Sequence, residues 1–410
     1  MERTDRMRVA LICDFAEENW PSMDLAAEML MENLAAKWAS RVEVERIRPS
    51  MKRRFVRLPR FGKTQWAYSA DRLLNRFCDY PRYLTRIRGK FDLYHIVDHS
   101  YSHLVHALPA EPTIVSCYDL DTFRCLLNSE SEPRSSIFKL MTSRILDGFR
   151  LAAKVSCASA ATRDEIAAHG LVPLGRTTVI PLGAHPACVA WPDPAADMEV
   201  SRMLGPFDLA AIDIVHVGAP IARKRIDVML RVLARLRVSF PGIRLIRVGG
   251  PLSTPLKALA ERLELNRSIV TMPFVSRRVL AAVYRRAAML VLPSEREGFG
   301  LPIVEAMACG TPVVVSDLPV LREVAGPSAT FCRVAEIASW TDAMVALLEE
   351  RHEKPERWRE RKLAAISWAR RFSWREHARK TVQIYEEVLS GLPSSRETLP
   401  EDDRSRCLAK

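Results

Sequence analysis

A glycine-flanked loop that runs into a predicted helix carries two glutamates able to bind hydroxyl groups. Glu297 lies in the loop, and Glu305 lies about one turn into the helix. Gly298 and Gly300 stand at the helix start, where free backbone N–H groups and the positive end of the helix dipole favour an anion such as a diphosphate. Glu305 is placed to accept hydrogen bonds from ribose hydroxyls, and Glu297 from the hydroxyls of a transferred sugar.

Three consecutive cations open another predicted helix, after a strand that ends at Gly218. They are Arg223, Lys224 and Arg225. Cations at a helix start oppose the helix dipole, so they are unfavourable there unless they bind an anion. The pattern indicates that these side chains neutralise phosphate, and the alternative is an exposed basic patch.

Polar residues also follow two predicted strands in the first half of the chain. Asp98 and His99 come after one strand, and Tyr118 and Asp119 after the next. Ligands of parallel sheets bind beyond the carboxyl ends of the strands, so these residues are candidate ligand contacts. A structural histidine that caps the strand-to-helix turn remains an alternative for His99.

Residues 293–314 read PSEREGFGLPIVEAMACGTPVV. They resemble the signature of glycosyltransferase family 4 (glycosyl transferases group 1), a large family of retaining enzymes with the GT-B fold. Its two glutamates stand in a setting like E-G-F-G-L-P-x-x-E-A-M-A-x-G-x-P-V-V. The strand and cations of residues 215–227 resemble the segment with which this family grips the donor diphosphate. The resemblance covers residues 8–390 and is firm over 213–326.

The resemblance assigns roles residue by residue. The catalytic residues it implies are Glu297, Lys224 and Arg223. Acceptors of this family bind in the N-terminal half, so the resemblance makes Asp98, His99, Tyr118 and Asp119 the candidate acceptor contacts. The donor-binding residues it implies are Gly218, Arg223, Lys224, Gly249, Phe274, Glu297, Gly298, Phe299, Gly300, Leu301 and Glu305. It further implies that no metal and no other cofactor is needed, because the two cations and the helix N-terminus would stabilise the leaving diphosphate.

The sequence departs from the family pattern at three places. Ala219 follows Gly218 where many members have arginine, which leaves open how Arg223, Lys224 and Arg225 divide their roles. The segment after the first strand, residues 14–24, has no glycine. Tyr118 replaces a histidine that often lies near the reacting sugar.

Strands alternate with helices along most of the chain, which predicts parallel sheets. The expected fold is α/β, of GT-B type, with two tandem Rossmann-like doubly wound domains that face each other across a cleft. Residues 1–190 and a C-terminal crossover helix at 372–390 would bind the acceptor, and residues 207–371 the nucleotide-sugar donor. Residues 181–206 are interpreted as a linker, and residues 391–410 as a disordered tail.

Composition favours a globular cytoplasmic protein. The chain has 410 residues, of which 48% are hydrophobic, and no apolar run approaches the roughly 18 residues of a membrane span. The N-terminus lacks the pattern of a signal peptide. Nine cysteines without a C-x-x-C pair argue against disulfides and structural zinc and indicate a reducing compartment.

A basic segment, residues 52–90, carries twelve Lys/Arg against Asp71 and Asp79, an excess of 12 − 2 = +10. Aromatic residues are interleaved, namely Phe55, Phe61, Trp66, Tyr68, Phe77, Tyr80 and Tyr83. Three interpretations stay open: a solvated surface, peripheral contact with an anionic membrane at its inner face, or binding of a phosphorylated or acidic acceptor.

The function expected is retaining transfer of a hexose-type sugar from a UDP- or GDP-linked donor to a saccharide or lipid-linked acceptor in polysaccharide or glycolipid synthesis. A nicotinamide-dependent dehydrogenase is disfavoured because no G-x-G-x-x-G follows an early strand. Nucleic acid is not an expected partner, since the basic charge comes without zinc, RRM-type or KH-type signatures. No pyridoxal lysine is suggested, which argues against a phosphorylase. A non-catalytic subunit with the same fold is the remaining alternative.

Overall fold

The computed structural model describes residues 6–58, 64–206 and 212–392. Over these residues it contains two six-stranded sheets, and every strand pair in both sheets is parallel. Helices connect successive strands in each. The predicted α/β architecture of two Rossmann-like domains is confirmed.

The first sheet has the strand order β2-β1-β3-β4-β5-β6. Its strands are β1 Met7–Ile12, β2 Val42–Ile47, β3 Leu93–Ile96, β4 Thr113–Cys117, β5 Lys154–Cys157 and β6 Thr177–Val179. Its helices are α1 Pro21–Lys37, α2 Gln65–Leu74, α3 Tyr80–Thr85, α4 Arg124–Leu127, α5 Ser136–Leu151 and α6 Ala160–Ala168. A single π turn, Asn75–Asp79, joins α2 to α3, and a 3-10 segment, His99–Ala107, follows β3.

The second sheet has the order β12-β11-β10-β7-β8-β9. Its strands are β7 Ile212–Val217, β8 Ile243–Val248, β9 Ile269–Met272, β10 Met289–Leu292, β11 Val313–Ser316 and β12 Thr330–Cys332. Its helices are α7 Pro194–Leu204, α8 Ile226–Ser239, α9 Thr254–Arg262, α10 Arg277–Arg286, α11 Leu301–Ala308, α12 Pro319–Ala325, α13 Ile337–Glu353 and α14 Pro355–Ala369.

Both sheets are covered by apolar residues on their two faces. Along β1, Val9 and Leu11 belong to one core, while Ala10 and Ile12 belong to another. This arrangement explains why the inner strands read as continuous apolar runs and not as alternating patterns. None of the helices in the described part of the chain is both long enough and apolar enough to cross a membrane.

The last helix, α15 Trp374–Ser390, returns to the first domain. Tyr385 lies 2.7 Å from His95 Nδ1 on β3, and Arg41 pairs with Glu386. At the start of this helix, a Cβ on Gly183 would overlap the backbone of Trp374, so only glycine fits between the two segments. These contacts place the end of the described chain on the first domain.

The linker interpretation was wrong for part of residues 181–206. Helix α7 lies within it and packs on α10, where Arg278 Nε lies 2.7 Å from Asp193 and Arg285 Nη2 lies 2.6 Å from Asp197. Its signals were Asp193 as the N-cap, Pro194 at the first turn and apolar residues one turn apart. Most of the predicted tail, residues 393–410, lies outside the described residues.

Both sheets reverse their strand order beside their first strand, between β1 and β3 and between β7 and β10. Ligands of open α/β sheets bind in the crevice that such a reversal creates, beyond the carboxyl ends of the strands. The loops that follow these four strands carry most of the candidate residues.

Candidate active site

Two glycine turns and a buried arginine shape the carboxyl ends of β7 and β8. Gly218 has φ 143° and Gly249 has φ 122°, and a Cβ on Gly249 would overlap the Gly218 carbonyl oxygen. Arg247, fully buried, donates to the Gly218 carbonyl at 2.8 Å and to the Gly250 carbonyl. The two turns are therefore held together by one side chain.

Arg223 and Lys224 converge on Glu297. Lys224 Nζ pairs with Glu297 Oε1, and Arg223 Nη1 lies 3.5 Å from Glu297 Oε2. Arg223 also donates to the Arg296 carbonyl at 2.9 Å, and the Ser294 hydroxyl lies 2.7 Å from Glu297 Oε1. The fold thus brings Lys224 and its neighbour Arg223 to Glu297, which lies 73 positions beyond Lys224 in the sequence.

Charge compensation controls the state of the Glu297 carboxyl. Its side chain is only 6% exposed, and burial disfavours its charged form. The positive charges of Lys224 and Arg223 nevertheless outweigh burial and hold the pKa of Glu297 below its usual value. Glu297 is an ionised carboxylate between two cations.

Arg225 is directed away from this cluster. Its guanidinium lies 3.0 Å from Asp227 and 3.5 Å from Glu295. Its backbone is left-handed, with φ 45°, which ends the short 3-10 turn Ala222–Lys224 before α8 begins. Of the three consecutive cations, only Arg223 and Lys224 therefore lie against Glu297.

Glu305 is buried within α11. The Tyr284 hydroxyl donates to Glu305 Oε2 at 3.1 Å, and Arg277 Nη1 lies 3.5 Å from Glu305 Oε1. Burial raises the pKa of Glu305, and Arg277 opposes this shift only in part. Arg277 also donates to the Pro21 carbonyl of the first domain at 3.3 Å, so it bridges the two halves of the molecule.

The glycines before α11 allow close packing against the first domain. A Cβ on Gly298 would overlap the Tyr118 carbonyl, and Gly300 has φ 90° where α11 begins with Leu301. The Phe299 ring is buried against Phe372, with ring centroids 5.7 Å apart. Phe299 therefore has a packing role, and any donor contact that it makes would be through its backbone. Phe274, beyond β9, is 55% exposed.

The candidate acceptor residues lie together at the carboxyl ends of β3 and β4. Asp98 accepts hydrogen bonds from the backbone N–H and the hydroxyl of Ser100, at 2.8 and 2.6 Å, so it caps the following 3-10 segment. His99 is buried; its ring nitrogens lie 3.4 Å from Asp98 and 3.7 Å from Asp119, and neither makes a hydrogen bond. Tyr118 lines the same cavity as Asp98, His99 and Asp119.

The family model described as "Glycosyl transferases group 1" matches residues 206–364. The chain contains a group 1 glycosyltransferase domain. D-inositol 3-phosphate glycosyltransferase of Nocardia farcinica is 34% identical over 212 residues, which cover 48% of this chain and 46% of that protein. The matched part thus spans about half the length of the curated relatives.

Solved structures share the whole architecture at low identity. Sucrose-phosphate synthase from Thermosynechococcus elongatus has a TM-score of 0.71 at 19% identity, covering 94% of this chain and 100% of that one. HepE of Anabaena, in complex with UDP and glucose, has a TM-score of 0.69 at 17% identity, with the same coverage. These likenesses show the GT-B fold, in which the group 1 domain is the second of two Rossmann-like domains.

Ion pairs link the group 1 domain to the first domain across the cleft. Arg223 Nε lies 2.8 Å from Asp121 Oδ2, and Arg223 Nη2 lies 3.8 Å from Asp119 Oδ2. Arg296 lies 3.0 Å from Glu132. Nothing in the local sequence indicates that Asp121 faces an arginine more than a hundred positions away.

The sequence analysis did not identify three further residues near the site: Arg277, Asp14 and Arg247. The local sequence around the first two contains a feature that could have indicated them. Arg277 is the first residue of α10, where a positive charge opposes the helix dipole, as at Arg223. Asp14 follows β1 at a reversal of strand order; both its carboxylate oxygens are buried without hydrogen bonds, and burial and the charge of Asp98 raise its pKa. Arg247, inside a strand, had no signal, because only tertiary contacts show what it holds.

Proposed function

We propose that the chain is a retaining glycosyltransferase that moves a hexose-type sugar from a UDP- or GDP-linked donor to a saccharide or lipid-linked acceptor. The observation that carries the proposal is the convergence of Arg223, Lys224 and Glu297 at the reversal of strand order between β7 and β10. Two cations beside the N-terminus of α11 suit a diphosphate, and an ionised carboxylate beside them suits sugar hydroxyls. The names of the relatives and of the HepE complex with UDP support the same chemistry.

In the proposed reaction, the bond from the sugar C1 to the diphosphate oxygen breaks while the acceptor hydroxyl oxygen bonds to C1 from the same face. The hydroxyl proton leaves on the departing diphosphate. Arg223, Lys224 and the α11 N-terminus stabilise the charge that develops on the leaving group. Glu297 holds hydroxyls of the sugar, Glu305 holds the ribose, and closure of the domains limits attack by water.

Nucleotide sugars provide the first test. UDP- and GDP-linked hexoses should raise the unfolding temperature, because a ligand that binds only the folded state stabilises it by mass action. Release of free nucleotide from the same donor then distinguishes an enzyme from a non-catalytic subunit of this fold, which would bind without turnover. If none of these donors changes the unfolding temperature, the proposed donor site is wrong.

We propose that the reaction needs no metal, since Arg223 and Lys224 bring two positive charges to the place where a divalent cation would otherwise act. Turnover should therefore persist in excess EDTA. Abolition of turnover by EDTA, with recovery on adding Mn²⁺, would contradict this part of the proposal.

A cytoplasmic location with peripheral contact to an anionic membrane through residues 52–90 is also part of the proposal. Exposed cations of this segment include Arg53, Arg82 and Arg88, and Trp66 is 60% exposed. Fewer positive charges can contact a membrane than the excess of +10 in the sequence suggests, because Arg54 pairs with Asp79 at 2.8 Å and Arg76 is buried against Tyr101. Phe61 lies outside the described residues. Cosedimentation with anionic liposomes at low salt should detect this contact, and its loss at high salt should confirm its charge dependence.

A further inference from the structure

A cavity of about 650 Å³ lies on the acceptor side of the cleft, within the usual range of roughly 300–1,000 Å³ for small-molecule sites. One part of its lining is polar and includes Asp119, Asp121, His99 and Arg223. Arg223 also contacts Glu297 of the candidate donor site, so this part adjoins the place where the sugar would be delivered. Both ring nitrogens of His99, in the same part of the lining, are buried without a hydrogen bond.

The other part of the lining is apolar. Phe138, Met141 and Ile145 repeat along one face of α5, and Leu73 and Phe77 come from α2 and the π turn after it. Phe138 is 42% exposed and Leu73 is 41% exposed. Large apolar groups that line a cavity and remain exposed to solvent gain stability when an apolar ligand covers them.

The arginines in this wall already contact other groups of the protein. Arg72 Nε lies 2.8 Å from Glu18, and Arg76 Nη1 lies 3.8 Å from the same carboxylate. Arg76 also lies over the Tyr101 ring, 4.1 Å from its centroid. Glu18 balances one of these two positive charges, and another arginine of the lining, Arg134, lies over the Phe138 ring, 5.5 Å from its centroid.

We propose that the acceptor carries an aliphatic chain next to its reacting hydroxyl, with the hydroxyl at Asp119, His99 and Arg223 and the chain along α5 and α2. A saccharide along the apolar wall would lose hydrogen bonds to water without replacing them, whereas an aliphatic chain gains from burial. The inference rests on the proposed function, since it takes Arg223 as the end at which the sugar is delivered.

The probes are methyl, hexyl and octyl β-D-glucosides, titrated as monomers into the full chain in the presence of UDP or GDP. Each buried methylene should tighten binding about fourfold, so octyl glucoside should bind about tenfold or more tightly than hexyl glucoside. Phe138→Ser and Met141→Ser should each remove much of this dependence. Leu140→Ser is the matched control, because Leu140 is on the same helix, 72% exposed and outside the cavity lining.

Equal binding of the three glucosides overturns the inference, and so does a chain-length dependence that Phe138→Ser and Met141→Ser leave unchanged. Tight binding of inositol phosphate with no binding of octyl glucoside also overturns it, in favour of a phosphorylated acceptor. Nucleotide binding is measured on the same samples. Its absence contradicts the proposed function, whereas its presence without chain-length dependence contradicts this inference alone.

Discussion

At the scale of single residues, Lys224 and Glu297 form a buried ion pair in which each charge compensates the other's loss of water. Their side chains are 12% and 6% exposed. Lys224→Ala should reduce kcat/KM at least tenfold, since a hydrogen bond to a charged group contributes about 1.5–3 kcal/mol. It should also lower the unfolding temperature, because Glu297 is left buried with less positive charge around it. Steady-state kinetics and thermal unfolding measure the two effects.

Arg231→Ala is the control for this substitution. Arg231 lies on α8, is exposed, and is replaced by the residue that favours a helix most. It should leave both kcat/KM and the unfolding temperature close to those of the unmodified chain. If Lys224→Ala behaves like Arg231→Ala, Lys224 does not hold the donor diphosphate.

The lowered pKa of Glu297 predicts an acid-dependent loss of stability. A carboxyl whose pKa is lower in the folded state than in the unfolded state stabilises the fold above its unfolded pKa, about 4.3 for glutamate. That stability is lost as the pH falls from there through the lower folded pKa. Glu297→Gln should therefore weaken the dependence of the unfolding free energy on pH in this window, as measured by urea unfolding. Identical slopes for the two proteins would show that Lys224 and Arg223 do not lower this pKa.

At the scale of elements, the position of the loop before α11 depends on close backbone contact with the loop that follows β4. A Cβ on Gly298 would overlap the Tyr118 carbonyl, whereas Gly175 has open space around it. Gly298→Ala should therefore displace the α11 N-terminus, destabilise the fold by about 1–3 kcal/mol and reduce transfer. Gly175→Ala is the matched control and should change neither. Normal kinetics in Gly298→Ala would show that the position of this loop against the first domain is not needed for catalysis.

At the scale of the whole molecule, Arg223 is shared between the two domains. Asp121 and Asp119 of the first domain contact its guanidinium, so they would compete for it with the diphosphate of the proposed donor. Asp121→Asn should free Arg223 and tighten binding of UDP or GDP, by about fivefold at most, since the pair is partly exposed and exposed pairs contribute about 1 kcal/mol or less. Isothermal titration measures the change.

Asp147→Asn removes a carboxylate of the same type from an exposed pair on α5, where Arg150 lies 3.9 Å away. This control should leave nucleotide affinity unchanged. Weaker binding in Asp121→Asn would mean that Asp121 orients Arg223 for the diphosphate and does not compete with it.

The sequence predicts the residues of the candidate donor site because their signals are local. Glycine turns, a helix start and two glutamates lie within a few turns of chain, and cations at the start of a helix are unfavourable by themselves. An inner strand also has a local signal, since burial on both faces gives an apolar run. The edge strand β2 lacks this signal, because only its ends are buried and the residues between them, Glu43 to Arg46, are polar or partly exposed.

Only the tertiary structure shows which distant residues contact the residues that the local sequence indicates. The pairing of Arg223 with Asp121, the role of Arg247 and the cavity between α2 and α5 arise from segments that are distant in sequence. The basic segment shows the same limit: its excess of charge is a sum over residues, but folding pairs Arg54 with Asp79 and buries Arg76 against Tyr101. A sequence shows which groups are present. Charge compensation and the shape of a cavity depend on distances between side chains, which are set only when the chain folds.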